Sequence, residues 1–129
     1  MIVGHDRTVH ERIDRSCDLL SSAYRRRVIY SLRKEGRASV GDLADAVVSA
    51  GVADVRERVV ASLVHTHLPK LAEAGVVEYD GPNDDVSLAE NTQFLEPFLT
   101  VAAREEAETE QLQFSDTHNA EAVPRRTPD

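Results

Sequence analysis

Three glycines, Gly36, Gly51 and Gly75, each come directly after a segment whose apolar residues recur at helical spacing. Glycine is common at this position because it adopts the left-handed backbone conformation that ends many helices. The sequence therefore predicts three main helices, which begin at Ala23, just after Ser39 and at Asp54, and end at these glycines.

Polar residues at the starts of the helices support this division. Ser22 and Ser39 are the expected N-caps of the first two helices, since a serine hydroxyl accepts a hydrogen bond from the free amides of the first turn. Asp42 follows Ser39 in a spacing similar to a capping box. The third helix has an apolar seam formed by Val60, Leu63, Val64, Leu68, Leu71 and Ala72. Pro69 lies inside it and is expected to kink the helix, because proline lacks the backbone N–H.

The pattern changes after the third glycine. Two short apolar runs, Val76–Tyr79 and Val86–Leu88, flank a turn rich in aspartate, glycine and proline, which predicts a β-hairpin. A final helix is predicted from Thr92 to Glu108. The sequence of three helices and a hairpin predicts a fold that is mainly α with a small β-hairpin, a winged helix-turn-helix plus a C-terminal helix.

The predicted domain boundaries follow these elements. We expect a flexible N-terminus over 1–12, a winged helix-turn-helix domain over 13–90, beginning with a short helical turn from Ile13 to Leu20, and a C-terminal dimerisation helix over 91–108. An acidic tail with two prolines covers 109–129 and is predicted to be disordered.

The net charge of -8 is unevenly distributed. Residues 13–104 carry 14 acidic and 11 basic side chains, whereas 105–129 carry 7 acidic and 2 basic ones. Only Lys34 and Lys70 are lysines, and the other 13 basic residues are arginines. Abundant acids with few lysines resemble the proteins of salt-loving archaea, where a Debye length of roughly 3 Å at molar salt weakens the repulsion between acids and DNA.

Composition also predicts the compartment. Cys17 is the only cysteine, which excludes an intramolecular disulfide and fits a reducing environment. No apolar run approaches the roughly 18–20 residues of a membrane span, and the N-terminus lacks the apolar stretch of a secretion signal. We therefore expect a cytoplasmic protein that is not bound to a membrane.

The polar face of the third helix predicts contact with double-stranded DNA, because this helix of a helix-turn-helix enters the major groove. Serine, threonine and histidine can bond to base edges or phosphates, and arginine or lysine can neutralise phosphates. The predicted DNA-binding residues are Ser62, His65, Thr66, Lys70, Arg25, Arg26 and Arg56. The ordinary alternative is a solvated helix face whose basic residues pair with neighbouring acids.

The sequence shows no sign of an enzyme, a cofactor or a metal site. His65 and His67 are two residues apart, which places them about 200° apart on an α-helix and prevents them from binding one ion. No glycine-rich phosphate loop and no nucleophile elbow are present. We therefore expect no catalytic residue, no cofactor and no bound metal.

Two segments carry a family resemblance. Residues 20–32 and 64–80 resemble a domain of unknown function that is widespread in haloarchaea and similar to the winged helices of arsenic-repressor-type regulators. Those regulators commonly end the recognition helix in His-Leu-x-x-Leu-x-x-Ala-Gly-Leu-Val. The matching residues are His67, Leu68, Leu71, Ala74, Gly75, Val76 and Val77. The resemblance, over Asp14 to Leu88, implies the fold and DNA-linked regulation, but the metal-sensing cysteine motif of those repressors is missing.

The remaining predictions concern partners. A homodimer is expected through the apolar face of the final helix, formed by Phe94, Leu95, Phe98 and Leu99, unless that face folds back on its own core. The hairpin carries Asp80, Asp84 and Asp85 and is therefore expected to face a partner, or to be structural, rather than to grip DNA. The rival hypothesis is a protein-interaction module that has lost DNA binding and uses its acidic hairpin or tail.

Overall fold

The computed structural model describes residues 2–81 and 83–107, with side chains from residue 8 onward. The described helices are α1 (Ile2–Leu19), α2 (Ala23–Glu35), α3 (Val40–Ser49), α4 (Arg56–Ser62), a π-helical turn (Leu63–His67), α5 (Leu68–Glu73), a 3-10 turn (Gln93–Leu95) and α6 (96–107). The strands are β1 (Arg37–Ala38), β2 (Val77–Glu78) and β3 (Val86–Leu88). The described chain is thus mainly helical with a small antiparallel sheet, which confirms the prediction of a mainly α fold with a small β-hairpin.

The ends of α2 and the start of α3 follow the sequence signals. The Ser22 hydroxyl accepts a hydrogen bond from the Arg25 amide at 3.3 Å, and Gly36 ends α2 with a φ of 88°. The Ser39 hydroxyl accepts one from the Asp42 amide at 3.0 Å. These caps satisfy amides that a helix leaves without partners, so the boundaries of both helices are set locally.

The third predicted helix is a composite of α4, the π-helical turn and α5, which together we call the 56–73 helix. It begins at Arg56 rather than at Asp54, and no side chain caps its first turn. Pro69 cannot donate a hydrogen bond, and its ring would collide with the carbonyl four residues earlier in a regular α-helix. The chain forms a wider turn just before it, in which the Leu68 amide donates to the Leu63 carbonyl. The expected break is therefore a π-helical turn.

The hairpin strands form a sheet with a third strand that the sequence did not indicate. β3 lies in the centre and pairs antiparallel with both β2 and β1. Ser87 aligns with Glu78 on one side and with Arg37 on the other. Because β1 follows α2 and β2 follows α5, this sheet fastens the hairpin to the helices.

The core is aliphatic, in a chain with 3 phenylalanines, 3 tyrosines and no tryptophan. Its fully buried members come from α2, α3, the 56–73 helix, the hairpin region and the 3-10 turn: Val28, Ile29, Leu32, Leu43, Ala44, Val47, Val59, Leu63, Leu68, Leu71, Val76, Val86 and Leu95. The chain divides into two compact units, 1–98 and 99–129, so this core belongs to the first.

The N-terminal helix is longer than the predicted turn from Ile13 to Leu20. α1 extends from Ile2 to Leu19, where the sequence predicts a flexible lead-in over 1–12. Ser16, Leu19 and Leu20 are buried at a spacing of three and four residues, so one helical face anchors the last turns of α1. The predicted tail over 109–129 lies outside the described residues. None of the described helices has the length and apolarity required for a membrane span.

Candidate nucleic-acid interface

The 56–73 helix presents one side to solvent and the other to the core. Val59, Leu63, Leu68 and Leu71 are fully buried on the inner side. On the outer side Arg58, Ala61, His65, Thr66 and Pro69 are exposed, and Ser62 is half-buried. The polar face predicted from the sequence is therefore accessible over Ser62, His65 and Thr66.

Four polar side chains on this outer side have free hydrogen-bonding groups, and we call them the outer face: Arg58, Ser62, His65 and Thr66. None of them makes a side-chain hydrogen bond or ion pair with another side chain or backbone group in the described part of the chain. Exposed donors and acceptors without protein partners are available to an external ligand at no cost in broken contacts. Arg58 is the cation of this face, and it was not among the predicted DNA-binding residues.

Arg25 is not part of this exposed surface. Its side chain is only 7% exposed. Nε donates to the Leu19 carbonyl at 2.8 Å, and one terminal nitrogen donates to the Asp18 carbonyl at 2.9 Å. These carbonyls belong to the C-terminal turn of α1, where a helix leaves acceptors without partners. Arg25 therefore braces the fold, and the expectation that it contacts a phosphate is corrected by its burial.

The position of Arg25 in the sequence contains a signal for this role. Arg25, Val28, Ile29 and Leu32 are spaced by three, four and seven residues, so they share one face of α2. The last three are core residues. An arginine on an apolar stripe points inward, and the run of three arginines concealed this periodicity.

The third contact of Arg25 reaches the 56–73 helix. Its other terminal nitrogen lies 3.1 Å from Nδ1 of His67, and the His67 ring lies 4.9 Å from the ring of Tyr24. A guanidinium can only donate, so Nδ1 of His67 must accept and the ring is neutral with its proton on Nε2. Burial, and secondly the charge of Arg25, hold the pKa of His67 below its ordinary value of 6.5.

Two of the predicted phosphate contacts are partly occupied by backbone or carboxylate groups. Arg26 donates to the Leu20 carbonyl at 2.7 Å, which again serves the end of α1. Arg56 donates from Nε to the Asp45 carboxylate at 2.6 Å, and this hydrogen bond raises the pKa of Arg56. Both side chains therefore hold neighbouring elements together in the free protein.

Lys70 is paired with an acid of α1. Its Nζ lies 2.8 Å from the Asp18 carboxylate, and the hydrogen bond and charge of Lys70 lower the pKa of Asp18. Both side chains are exposed. A phosphate that approached Lys70 would have to displace Asp18, so the phosphate and the Asp18 carboxylate compete for the Lys70 ammonium.

The hairpin side chains are acidic and solvent-exposed at its tip. Asp80, Asp84 and Asp85 are all exposed, while Glu78 on β2 is exposed as well. Such a surface repels a phosphate backbone. The structural or partner-facing role of the hairpin stays a prediction.

The predicted dimer face is only partly at the surface. Leu95 is fully buried and Leu99 is 2% exposed, both within a single chain. Phe94 and Phe98 are half-buried, and the Arg15 guanidinium lies 5.2 Å from the centre of the Phe94 ring. Leu95, one of the four expected contact residues, is therefore unavailable, because its own unit covers it. The homodimer stays a prediction.

Across the described part of the chain, no three histidine, cysteine, aspartate or glutamate side chains come together as a metal-binding group. His65 points to solvent, and His67 is held by Arg25 and Tyr24.

Comparison with known protein families shows the family of this chain. The sequence model of a protein family described as a domain of unknown function (DUF7344) matches residues 17–87, from the last turn of α1 to β3. No curated protein and no solved structure matches the chain significantly.

Proposed function

We propose that this chain, which belongs to the DUF7344 family, is a DNA-binding transcriptional regulator of the winged helix-turn-helix type, with the 56–73 helix as its recognition helix. The observation that carries the proposal is the outer face of Arg58, Ser62, His65 and Thr66, which is accessible and has no described protein partner. The matched residues 17–87 include this face.

The arrangement of elements supports this assignment. α3 and the 56–73 helix are consecutive helices joined by a short connection through Gly51, which is the plan of a helix-turn-helix. The three-stranded sheet ties the hairpin to α2 through β1, so that the hairpin flanks the helices as a wing. In such domains the second helix of the motif enters the major groove.

The chemistry of the outer face suits a duplex. The imidazole of His65 and the hydroxyls of Ser62 and Thr66 can bond base edges or phosphate oxygens, and the Thr66 methyl can pack on a thymine methyl. Arg58 can form a bidentate contact with guanine or neutralise a phosphate. In this contact set Arg58 takes the place that the sequence-based prediction gave to Arg25.

The proposed regulator works in a cytoplasm with concentrated salt. The use of 13 arginines and 2 lysines beside 23 acids supports a haloarchaeal cytoplasm with concentrated salt. At molar salt the acidic hairpin acts on DNA over only roughly 3 Å. A homodimer would present two recognition helices about 34 Å apart, one turn of DNA.

The test is a titration of labelled DNA with the purified full chain. Duplexes enriched from a random-sequence pool are bound at a series of salt concentrations up to molar, and binding is followed by fluorescence anisotropy. Arg58→Glu is expected to weaken binding by at least about tenfold and, through the loss of one phosphate contact, to lower the salt slope by about 1. The matched control is Arg12→Glu, an exposed arginine of α1 with no described partner, which is expected to retain most of the affinity.

A protein-interaction module is the second candidate, and a specific observation favours it. Lys70 and Arg56 are each paired with an aspartate, and the hairpin tip is acidic, so negative charge interrupts the basic residues of the predicted site. Absence of enrichment from the pool and of binding at every salt concentration would reject DNA binding and favour this alternative. Equal loss in Arg58→Glu and Arg12→Glu would indicate binding by overall charge, without a recognition helix.

A further inference from the structure

Arg25 connects three separate segments through one buried guanidinium. It donates to the carbonyls of Asp18 and Leu19 at the end of α1, and it reaches Nδ1 of His67 at the end of the π-helical turn. The planar guanidinium has five donors in fixed directions, so it can hold these acceptors at once. These contacts fix the position of the π-helical turn relative to α1 and α2.

The His67 end of this connection adjoins the outer face. His65 and Thr66 lie in the same π-helical turn as His67, and both are exposed while His67 is half-buried. His65 and Thr66 therefore project from the same short turn of backbone that the contacts of His67 with Arg25 and Tyr24 hold.

We propose that His67, held by Arg25, is a positioning residue for His65 and Thr66, and that a proton on His67 releases this turn and weakens DNA binding. The inference rests on the proposed function for its effect on DNA, whereas the release itself is a property of the free protein.

Protonation of His67 removes the hydrogen bond between its ring and Arg25, and it adds a repulsion between two cations. A protonated imidazole has no acceptor to offer Arg25, and it places a second cation 3.1 Å from the guanidinium nitrogen. The lowered pKa of His67 agrees with this conflict.

The surrounding groups do not compensate for the added charge. From α2, Tyr24 and Arg25 face the ring. On α1, the carboxylate of Asp18 is paired with Lys70 of α5. On α3, Asp45 is bound to Arg56 of α4, and in the described chain Asp42 has no side-chain contact with His67.

The expected pH dependence has an unusual sign. Protonation of a histidine at a DNA interface normally adds positive charge and strengthens binding at lower pH. Release of the His67 contact does the opposite, because it disorganises the face that makes the contacts. One proton coupled to binding gives a slope of at most about 1 in log Kd per pH unit.

The first arm of the experiment measures binding of the enriched duplex from about pH 8 to about pH 5. Unmodified protein is expected to lose affinity as the pH falls below 6.5, the ordinary pKa of histidine. His67→Gln is expected to lack this acid-dependent loss, since glutamine offers Arg25 an acceptor that does not titrate in this range. His10→Gln, at an exposed histidine of α1 outside the outer face, is the matched control and is expected to keep the loss. Stronger binding of the unmodified protein in acid, or an equal loss in His67→Gln, would overturn the proposal.

The second arm uses nuclear magnetic resonance on the unmodified protein without DNA, so it depends neither on the variants nor on the proposed function. We expect the His67 ring to carry its proton on Nε2 at neutral pH and to titrate below 6.5. The backbone amides of His65 and Thr66 are expected to shift with the same midpoint as His67. A proton on Nδ1 at neutral pH, or amides that do not follow His67, would refute the release. If the amides follow His67 but no duplex binds at any pH, the proposed function fails while the release stands.

Discussion

The Lys70 ammonium lies 2.8 Å from the Asp18 carboxylate, which joins the last turn of α1 to the segment that follows the π-helical turn. Lys70 is the lysine of the 56–73 helix, and in the free protein Asp18 neutralises its charge. An exposed pair of this kind is weak, so an incoming phosphate competes with Asp18 on similar terms.

Asp18→Asn is therefore expected to increase DNA affinity by about two- to fivefold, because Lys70 becomes available to a phosphate. The salt slope should become steeper by about 1. The carbonyl of residue 18, which accepts from Arg25, is unaffected by the change. The measurement is the anisotropy titration at several salt concentrations.

The control for this prediction is Asp14→Asn. Asp14 is an exposed acid one turn earlier on α1 and has no side-chain partner in the described chain, so the variant removes the same charge without releasing a lysine. An equal gain in both variants would mean that the overall charge, and not the pair, limits binding. A gain that persists in Asp18→Asn/Lys70→Ala would exclude Lys70 as its cause.

Arg25 and Arg58 are expected to separate stability from binding. Arg25→Ala leaves the Leu19 carbonyl and Nδ1 of His67 without the donor that Arg25 supplies, whereas the Asp18 carbonyl keeps the Ser21 hydroxyl and amide as donors. The change should lower the free energy of unfolding by about 2–4 kcal/mol. Arg58→Ala removes an exposed side chain without a described partner and should stay within about 0.5 kcal/mol. Denaturant unfolding measures both, and similar values for the two variants would contradict the brace assigned to Arg25.

The main helices could be predicted from the sequence because the signals that set their ends are local. Ser22, Ser39 and Gly36 act on neighbouring backbone groups, so residue type and spacing determine where α2 and α3 begin and α2 ends. The hairpin could also be predicted, from the two apolar runs around its turn. The strand β1 could not be predicted, since two residues cannot show an alternation and Ala38 becomes a strand residue only by pairing with Val86.

The candidate site was less predictable because side-chain partners far apart in sequence decide it. Exposed and paired lysines look alike in a sequence, and only the fold brings Asp18 to Lys70 and Asp45 to Arg56. The π-helical turn, by contrast, has a signal in the spacing of the apolar residues. Leu63 and Leu68 are both fully buried at a separation of five residues, which fits a wider turn better than an α-helix, and Pro69 follows directly.

The cap at Ser39 gives a test of these local signals. Ser39→Ala removes the acceptor of the Asp42 amide and should lower the free energy of unfolding by about 1 kcal/mol. Ser49→Ala, at the exposed end of the same helix and without a described side-chain hydrogen bond, is the control and should have little effect. Thermal or denaturant unfolding checks both, and an unchanged midpoint for Ser39→Ala would show that packing alone sets the start of α3.

The pH dependence of folding follows from the lowered pKa of His67. The unfolded chain binds this proton near 6.5, whereas the folded chain resists it until a lower pH. The contribution of His67 to stability is therefore complete above 6.5 and is lost progressively as the pH falls from 6.5 towards the folded pKa. Since the ring is only half-buried, solvent reduces the size of the effect. The denaturant midpoint should decrease over this range in the unmodified protein and in His65→Gln, but not in His67→Gln. A midpoint that decreases only below the ordinary aspartate pKa of 3.8 would assign the acid sensitivity to Asp18 instead, because its lowered pKa places its loss of stability there.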